Sequence, residues 1–544
     1  MGFLRTALAS SLLLASHASA LDPIVMKGSK FFYENGDQFF MKGVAYQQEA
    51  GSTGGTGAKR STSDGGNSYV DPLADESVCK RDVPLLEKLG INTIRTYAIN
   101  PDADHSACMK LLAAAGVYVI ADLGEPALSI NRDSPAWNVE LFTRYKAVID
   151  NLGEYNNTIG FFSGNEVTNS ANNTDASAYV KAATRDTKKY IADKVAKGGR
   201  WMGVGYAAND DADIRISMAQ FFNCGEQEAA IDFWGYNIYS WCGKSSYTES
   251  GYNVQVDFFS NFSVPVFFAE YGCNTNGGAE GRLWDDTTAL YSDQMTPVFS
   301  GGIVYMFHEE ENDYGLVKIN GNTATPMKNY GVLQTKLARV APSSTAMSAY
   351  KPTNSAAACP AISENWKVAE ALPPTPDSDL CDCMSKSMSC VPADNLEEKD
   401  YGDIFGYVCD ADANACAGIK HDSEAGVYGP YVMCNPKEQL ANVLHAYYVN
   451  QKQASDACDF NGAAKVVSNP SVDSTCEAAL SSASAAVSVA ATATAAASGS
   501  TASSTENAAL PGNARMSAFM TMGDVAIGFY MLVAMAVGVT MVVL

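Results

Sequence analysis

Phe161-Phe162-Ser163-Gly164-Asn165-Glu166-Val167 is an apolar run that ends in a small residue, an amide and a carboxylic acid. The stretch Val264-Pro265-Val266-Phe267-Phe268-Ala269-Glu270-Tyr271-Gly272 follows the same order and also delivers a glutamate near its end. Short continuous apolar runs are typical of strands that are buried on both faces of a parallel sheet. The two runs therefore predict two buried strands that place Glu166 and Glu270 at the same edge of one sheet.

Further apolar runs alternate with helical patterns, one of which ends at Gly90, a residue type that favours helix C-caps. Eight strands separated by helices predict a (β/α)8 barrel over residues 21–345, an α/β fold. A doubly wound open sheet is the competing topology. The predicted strands are residues 39–46, 92–98, 117–123, 158–166, 201–206, 231–239, 264–271 and 301–307.

Barrel enzymes carry their chemistry at the C-terminal ends of the strands, which we call the rim. Amides, carboxylates and aromatic rings recur at the predicted rim. Such side chains suit a carbohydrate, because amides and carboxylates hydrogen-bond hydroxyls and aromatic rings stack on pyranose faces. The candidate residues are Gln47, Gln48, Arg95, Tyr97, Asp122, Glu125, Asn165, Glu166, Tyr236, Asn237, Tyr239, Trp241, Glu270, Tyr271 and Tyr305.

Two carboxylates at one rim are what cleavage of a glycosidic bond requires. One protonates the leaving oxygen, and in a retaining enzyme the other attacks the sugar from roughly 5–5.5 Å away. We predict Glu166 as the acid/base and Glu270 as the nucleophile, with Asn165 donating to the sugar 2-OH. Arg95 is expected to keep Glu270 ionised, although an ordinary buried ion pair is the alternative. Glu125 is the rival carboxylate.

The sequence predicts that neither end of the chain is part of the folded domains. Arg5 precedes an apolar run that ends Ala18-Ser19-Ala20, which predicts a signal peptide over residues 1–20; a buried first helix is the alternative. Residues 525–544 are apolar and uncharged, and small residues lie upstream, at Gly512 or Asn507. This pattern predicts a glycosylphosphatidylinositol anchor, with residues 513–544 removed and the protein held on the outer face of the plasma membrane or in the cell wall; a tail-anchored helix is the alternative.

Fourteen cysteines behind a signal peptide predict seven disulfides. Their density rises after residue 380, which marks a domain boundary. We predict four segments after the signal peptide: the catalytic domain, a linker at 346–378 in which Cys359 is tied back to the barrel, a cysteine-rich module at 379–480, and a Ser/Ala-rich stalk at 481–512 that does not fold.

Composition narrows the possible partners. The net charge of −23 argues against nucleic acid, because phosphate binding needs clustered Lys and Arg. No cysteine spacing fits a zinc site, and neither a metal nor a cofactor is predicted. Sequons at Asn156, Asn172 and Asn261 agree with secretion and predict glycosylation.

Several motifs together resemble one enzyme family. Gly164-Asn165-Glu166, the stretch 268–273 (Phe-Ala-Glu-Tyr-Gly-Cys) and the stretch 236–243 (Tyr-Asn-Ile-Tyr-Ser-Trp-Cys-Gly) resemble the fungal 1,3-β-glucanosyltransferases of glycoside hydrolase family 72. Lys-Gly-Val-Ala-Tyr-Gln at 42–47 and Asp-Tyr-Gly-Leu-Val at 313–317 also match. The cysteine-dense region resembles the family 43, X8-type carbohydrate-binding module found in one branch of those enzymes.

The resemblance implies functional residues and disulfide pairs. It makes Glu166 the acid/base and Glu270 the nucleophile. It places Gln47 or Gln48, Tyr97, Asp122, Asn165, Tyr239 and Tyr305 around the sugar. The implied disulfides are Cys79–Cys108, Cys224–Cys359, Cys242–Cys273, Cys381–Cys434, Cys383–Cys476, Cys390–Cys458 and Cys409–Cys416.

The reaction that the resemblance implies is transfer rather than net hydrolysis. An internal 1,3-β bond is cut, and the covalently held glucan passes to the non-reducing-end 3-OH of a second 1,3-β-glucan. A retaining endo-1,3-β-glucanase on the same barrel and a non-catalytic wall-binding protein are the alternatives. We expect a monomer, in which the small module either binds glucan or braces the barrel.

Overall fold

The computed structural model describes residues 21–48, 60–62 and 68–498. The predicted leader at 1–20 lies outside these ranges, as do Asn507, Gly512 and the whole predicted propeptide. Within the described ranges, no helix combines the length and the apolar character that crossing a bilayer requires.

Eight parallel strands form a closed barrel in which each strand pairs with the next along the chain and the last pairs with the first. This closure confirms the predicted barrel and rules out the open doubly wound sheet. The fifth strand starts later than predicted, at Gly203, and the eighth ends earlier, at Val304. The strands are β1 Met41–Ala45, β2 Thr93–Thr96, β3 Tyr118–Asp122, β4 Thr158–Asn165, β5 Gly203–Ala208, β6 Phe233–Asn237, β7 Val266–Tyr271 and β8 Phe299–Val304.

Helices surround the barrel and connect its strands. The first helix shows how local sequence sets its bounds: the side chain of Asp75 accepts from Ser77 N at the start, and Gly90 ends the helix at φ 80, a conformation that only glycine adopts readily. The helices of the barrel region are α1 Glu76–Leu89, α2 Ser106–Ala114, α3 Val139–Leu152, α4 Ala176–Val195, α5 Arg215–Asn223, α6 Tyr252–Phe259, α7 Gly278–Gly281, α8 Asp285–Leu290 and α9 Lys328–Leu337.

An aromatic cluster fills the lower half of the barrel. A small antiparallel sheet before β1, formed by Ile24–Lys27, Lys30–Tyr33 and Gln38–Phe39, closes the end opposite the rim. The ring of Phe31 in this sheet lies 6.1 Å from the rings of both Phe233 and Phe267. The packed interior leaves the rim as the open end of the barrel, where a substrate can bind.

The fourteen cysteines form seven disulfides, in the pairs that the family resemblance implied. Three lie in the barrel region, and Cys224–Cys359 spans 135 residues of sequence. Four lie in the small C-terminal module. These covalent links stabilise a module whose hydrophobic core is small.

The segment at 346–378, predicted as a linker, lies along the barrel as a strap. Lys27 Nζ donates to Met347 O at 2.7 Å, and Ser29 Oγ lies 2.9 Å from Tyr350 Oη. Further along, Trp366 is fully buried, with its ring centroid 5.3 Å from that of Phe221. These contacts bind the predicted linker to the barrel wall.

The module is built from α10 Ser378–Ser387, α11 Tyr401–Ala411, α12 Pro436–Asn450 and α13 Ser474–Ser498, with short strands Cys390–Pro392 and Ala464–Val466. The expectation that the Ser/Ala-rich tract lacks structure from residue 481 is wrong as far as Ser498. Alanine has the highest helix propensity of all residues, and α13 buries Ala483 against the module core. The disulfide Cys383–Cys476 fixes the start of this helix to α10.

Candidate active site

Glu166 directly follows β4 in a strained backbone conformation. Its φ of 47° lies in the left-handed region, which costs a non-glycine residue roughly 1–3 kcal/mol. Both of its backbone polar groups are held: its N–H donates to Ala207 O at 2.8 Å, and its carbonyl accepts from Arg132 Nη2 at 2.6 Å. These bonds stabilise the turn that directs the half-buried side chain along the rim.

Glu270 lies within β7 and is 8% exposed. Its Oε1 accepts from Tyr97 Oη at 2.8 Å and from Arg95 Nη1 at 3.3 Å, and its Oε2 accepts from Tyr239 Oη at 2.8 Å. Burial and the charge of Glu270 hold the pKa of both tyrosines well above the ordinary value, which keeps their hydroxyls protonated as donors. The carboxylate is therefore fixed in direction by three donors.

Arg95 is fully buried and shared between two carboxylates. It forms a bidentate pair with Asp122, at 3.0 and 2.9 Å, and a longer contact with Glu270. Burial raises the pKa of both Asp122 and Glu270, and the single positive charge of Arg95 offsets this only in part. The pKa of Glu270 therefore lies above its ordinary value, because burial and the nearby charge of Glu166 outweigh Arg95 and the two tyrosine hydrogen bonds.

Asp122 was expected to contact sugar. Both of its oxygens instead accept from Arg95, and its residue is 7% exposed. The guanidinium in turn lies over the Phe162 ring, 4.4 Å from its centroid, at the top of the barrel core. This geometry makes Asp122 a support for Arg95.

The amide of Asn165 has a fixed orientation. Its Oδ1 accepts from Arg95 Nη2 at 2.9 Å and from Asn237 Nδ2 at 3.0 Å. Because Arg95 can only donate, the atom facing it must be the oxygen of Asn165. No hydrogen bond among the described residues uses Asn165 Nδ2, so this donor is available to a ligand at the rim.

Gln47 uses its side chain to hold the backbone around the site. Its Oε1 accepts from Tyr97 N at 3.1 Å and from Ala98 N at 3.2 Å, and its Nε2 donates to Val70 O at 2.6 Å. These three bonds occupy the amide of Gln47 and position the backbone at Tyr97, while its contact with sugar stays a prediction. Gln48 is 5% exposed, which leaves it little surface for a sugar.

A buried histidine supports the same region. His105 Nε2 lies 2.8 Å from Asp71 Oδ2 and His105 Nδ1 lies 2.6 Å from Asn151 Oδ1. Asn151 donates through Nδ2 to two carbonyls, so its Oδ1 faces the ring, and both ring nitrogens must donate. Burial lowers the pKa of His105, but the bonds to Asp71 and Asn151 and the nearby charge of Asp104 outweigh it and raise the pKa above the ordinary value.

This raised pKa predicts a stabilisation that disappears at high pH. The stabilisation is fully present below the unfolded pKa of about 6.5 and is lost as the pH rises through the higher folded value. We expect wild type to exceed His105→Gln in free energy of unfolding by about 1–3 kcal/mol at pH 5, with a smaller difference at pH 9. Thermal unfolding of both proteins across this range tests it, and a difference that grows with pH would contradict it.

Four tyrosine rings form an aromatic wall beside Glu270. The Tyr305 ring lies 6.4 Å from those of Tyr97 and Tyr239 and 5.3 Å from that of Tyr314. All four residues are half-buried, and Phe307 is fully buried in the core. Tyr305, rather than Phe307, is thus the strand-eight ring that faces the site.

Two residues at the site, Arg132 and Tyr314, were not predicted to act there. Asn237 lay in the predicted strand-six set without a role, and its Nδ2 donates to Glu166 Oε1 at 2.8 Å. Arg132 lies in a loop that carries no strand or motif signal. The rival carboxylate Glu125 accepts from Ala127 N at 2.9 Å and belongs to a local turn.

Within the part of the chain that the structure describes, one group of side chains brings metal-ligating atoms together: Cys381, Cys434 and Glu438. Cys381 and Cys434 are bonded to each other. A disulfide offers no thiolate, so this group does not make a thiolate metal site.

The chain is similar in sequence to one family of known enzymes. Residues 13–341 match the family model described as glucanosyltransferase, glycoside hydrolase family 72, and residues 388–465 match the X8 domain. A 1,3-beta-glucanosyltransferase of Arthroderma benhamiae is 51% identical over 495 residues, covering 88% of each chain. The 1,3-beta-glucanosyltransferase gas1 of Schizosaccharomyces pombe is 41% identical, covering 89% of this chain and 86% of its own.

A solved structure of a Saccharomyces cerevisiae Gas2p mutant, in complex with laminaritetraose and laminaripentaose, superimposes with a TM-score of 0.74. The two chains are 36% identical, and the match covers 86% of this chain and 99% of the other. The family model spans more than half of the sequence, and the relatives extend the match through the module. The chain therefore belongs to the glucanosyltransferases of glycoside hydrolase family 72.

Proposed function

We propose that this protein is a retaining 1,3-β-glucan transglycosylase, with Glu270 as the nucleophile and Glu166 as the acid/base. The observation that carries the proposal is the contrast between the two rim carboxylates. Glu270 is buried and held by two tyrosine hydroxyls and Arg95, whereas Glu166 is half-buried and held by one amide. A carboxylate fixed from three sides suits in-line attack, and one whose second oxygen accepts no hydrogen bond from the described residues suits proton transfer.

In the first half of the reaction, Glu166 gives its proton to the glycosidic oxygen as Glu270 attacks C1. The C1–O bond breaks, the reducing-end fragment leaves, and an ester joins the sugar to Glu270. Asn165 Nδ2 binds the 2-OH, a contact that strengthens in the transition state. Arg95 stabilises the carboxylate before attack and again when the ester breaks.

In the second half, the non-reducing-end 3-OH of another 1,3-β-glucan attacks C1 and loses its proton to Glu166. The ester to Glu270 breaks, and a longer glucan is released. The tyrosines around Glu270 shape the active centre, and further aromatic residues of the rim would hold the acceptor. Holding the acceptor hydroxyl at attack distance is what lets a sugar compete with water.

Product length tests the proposal. The full chain is incubated with a reduced laminari-oligosaccharide, and the products are sized by chromatography. We expect products longer than the donor. Exclusively shorter products would mean an endo-1,3-β-glucanase, and no products would exclude both enzymes.

We also propose that the chain reaches the outer face of the plasma membrane or the cell wall on a glycosylphosphatidylinositol anchor attached at Gly512 or Asn507. Removal of a signal peptide at 1–20 and a propeptide at 513–544 fits this route. Asn156, Asn172 and Asn261 are all exposed, which supports their use for glycosylation, and the chain would act as a monomer. Retention on membranes after treatment with a phosphatidylinositol-specific phospholipase would contradict the anchor.

For the family 43-type module at 379–480, the contacts support a brace on the barrel. Met433 O accepts from Val139 N of α3 at 3.0 Å, and the Tyr428 ring meets that of Tyr179 on α4 at 6.0 Å. The strap contributes as well: Asp186 accepts from Thr375 Oγ1 at 2.6 Å and from Trp137 Nε1 at 2.8 Å. These bonds join the segment before α3, helix α4 and the strap at one buried carboxylate.

Asp186→Ala is expected to lower the free energy of unfolding by about 2–4 kcal/mol, because it leaves buried donors without an acceptor. Asp186→Asn, which keeps one acceptor oxygen, serves as the milder control. Thermal unfolding and a pull-down on insoluble 1,3-β-glucan are measured together. If Asp186 joins the strap to the barrel, the melting temperature falls while glucan binding stays unchanged, and unchanged melting would refute that role.

A further inference from the structure

Asn237 connects the two carboxylates of the site. It is the last residue of β6 and is 3% exposed. Its backbone is in register with Glu270 on β7, while its side chain reaches Glu166 beyond β4. It thus contacts Glu166 through its side chain and lies beside Glu270 through its backbone.

The amide of Asn237 can point in only one direction. Its Nδ2 lies 2.8 Å from Glu166 Oε1 and 3.0 Å from Asn165 Oδ1. Asn165 Oδ1 is fixed as an oxygen by Arg95, so a flipped Asn237 would place two carbonyl oxygens against each other. Asn237 therefore presents an N–H donor to Glu166 whether Glu166 is protonated or ionised. Its own Oδ1 is buried without a hydrogen-bond partner among the described residues.

A permanent donor on one oxygen restricts where the carboxyl group can carry a proton. A proton on Glu166 Oε1 would face the N–H of Asn237, and two hydrogens would meet. A proton on Oε2 leaves Oε1 free to accept that N–H. We propose that Asn237 is a positioning residue that confines the transferable proton of Glu166 to Oε2.

This inference rests on the proposed function, because it needs Glu166 as the acid/base. In the first half of the reaction, Oε2–H is the bond that breaks as the glycosidic oxygen takes the proton. In the second half, Oε2 takes the proton of the attacking hydroxyl, and the C1–O bond to the acceptor forms. The donor on Oε1 stabilises the ionised carboxylate between the two events.

The leaving group distinguishes this role from a purely structural one. A sugar leaving group needs the proton, whereas a dinitrophenyl group leaves without it. We expect Asn237→Ala to lower cleavage of a laminari-oligosaccharide by about 10- to 100-fold. We expect less than about a threefold change in the rate of the first-turnover burst of dinitrophenol from a dinitrophenyl laminaribioside, because that burst reports only the first half of the reaction.

Asn209→Ala is the matched control. Asn209 is also a rim amide, next to the end of β5, and donates to Asn169 O at 3.0 Å without contacting a carboxylate. It should leave both rates near those of wild type. Equal losses on the two donors, or none on either, would overturn the inference for Asn237.

Asn237→Asp is the isosteric second variant, in case Asn237→Ala does not fold. It replaces the N–H donor with a carboxylate. Two carboxylates at hydrogen-bond distance must share one proton, which raises the pKa of Glu166. We expect the alkaline limb of the pH profile for oligosaccharide cleavage to move to higher pH by about one unit. An unchanged profile would overturn the inference, whereas a wild-type protein that cleaves neither donor would overturn the proposed function instead.

Discussion

Glu270→Gln is expected to lower glucan transfer by roughly 10⁴- to 10⁶-fold, the largest effect of any single substitution in this protein. Glutamine keeps the shape of the side chain and most of its contacts, but it cannot form the covalent glycosyl ester. The three donors around Glu270, Tyr97, Tyr239 and Arg95, would then stabilise no charge. Chromatography of products from a reduced laminari-oligosaccharide measures the loss.

Glu166→Gln should show a different pattern on the same assay. We expect about a 10²- to 10⁴-fold loss with an oligosaccharide, because general acid catalysis is removed. With a dinitrophenyl donor, the first half should persist while the second half is slowed, so a glycosyl-enzyme should accumulate. Its added mass on the intact protein can be read by mass spectrometry.

Glu125→Gln is the control for these two variants, since Glu125 is the rival carboxylate of the sequence analysis. Its side chain accepts from Ala127 N within a local turn. Transfer should stay within a few fold of wild type. A larger loss for Glu125→Gln than for Glu166→Gln would exchange their assigned roles.

Arg95→Met should cost both stability and activity. It leaves Asp122 and Glu270 buried without their shared cation, and breaking a buried pair in this way typically costs about 3–5 kcal/mol. It also frees the amide of Asn165, which Arg95 orients. Chemical denaturation and the product-length assay measure the two losses separately.

A double variant separates the two roles of Arg95. Arg95→Met combined with Asp122→Asn removes one of the two unpaired acids, so it should recover part of the lost stability. Transfer should stay low, because Glu270 still lacks its cation. Recovery of activity along with stability would mean that Arg95 acts only as a structural ion pair.

The sequence predicted the barrel well because its strands are continuous apolar runs, whose ends coincide with polar residues. Glu166 and Glu270 could be placed at the rim because position on a parallel strand fixes the end of the barrel to which a side chain belongs. The hydrogen-bond partners of those side chains could not be predicted in this way. Gln47 has an amide that suits a sugar, and only the folded positions of Tyr97 N, Ala98 N and Val70 O show that this amide is occupied.

The same limit explains the other differences. Arg95 was expected to pair with Glu270. The sequence does not reveal that Asp122 lies closer to Arg95 than Glu270 does. Residues 481–498 have the composition of an unfolded stalk, yet alanine also favours helix, and the neighbouring module provides a surface for it. Both outcomes depend on contacts between segments that are distant in sequence.

The strap has a consequence for how the chain is made. Lys27 and Ser29, before the first barrel strand, bond to Met347 and Tyr350, more than 300 residues later. At ordinary ribosome speeds that distance takes on the order of tens of seconds to synthesise. The first strands therefore emerge long before the residues that cover them, and Cys224 must wait for Cys359. The strap and its disulfide can form only when the chain has reached residue 359, so a nascent chain stopped before that residue should be more open to proteases than the full chain.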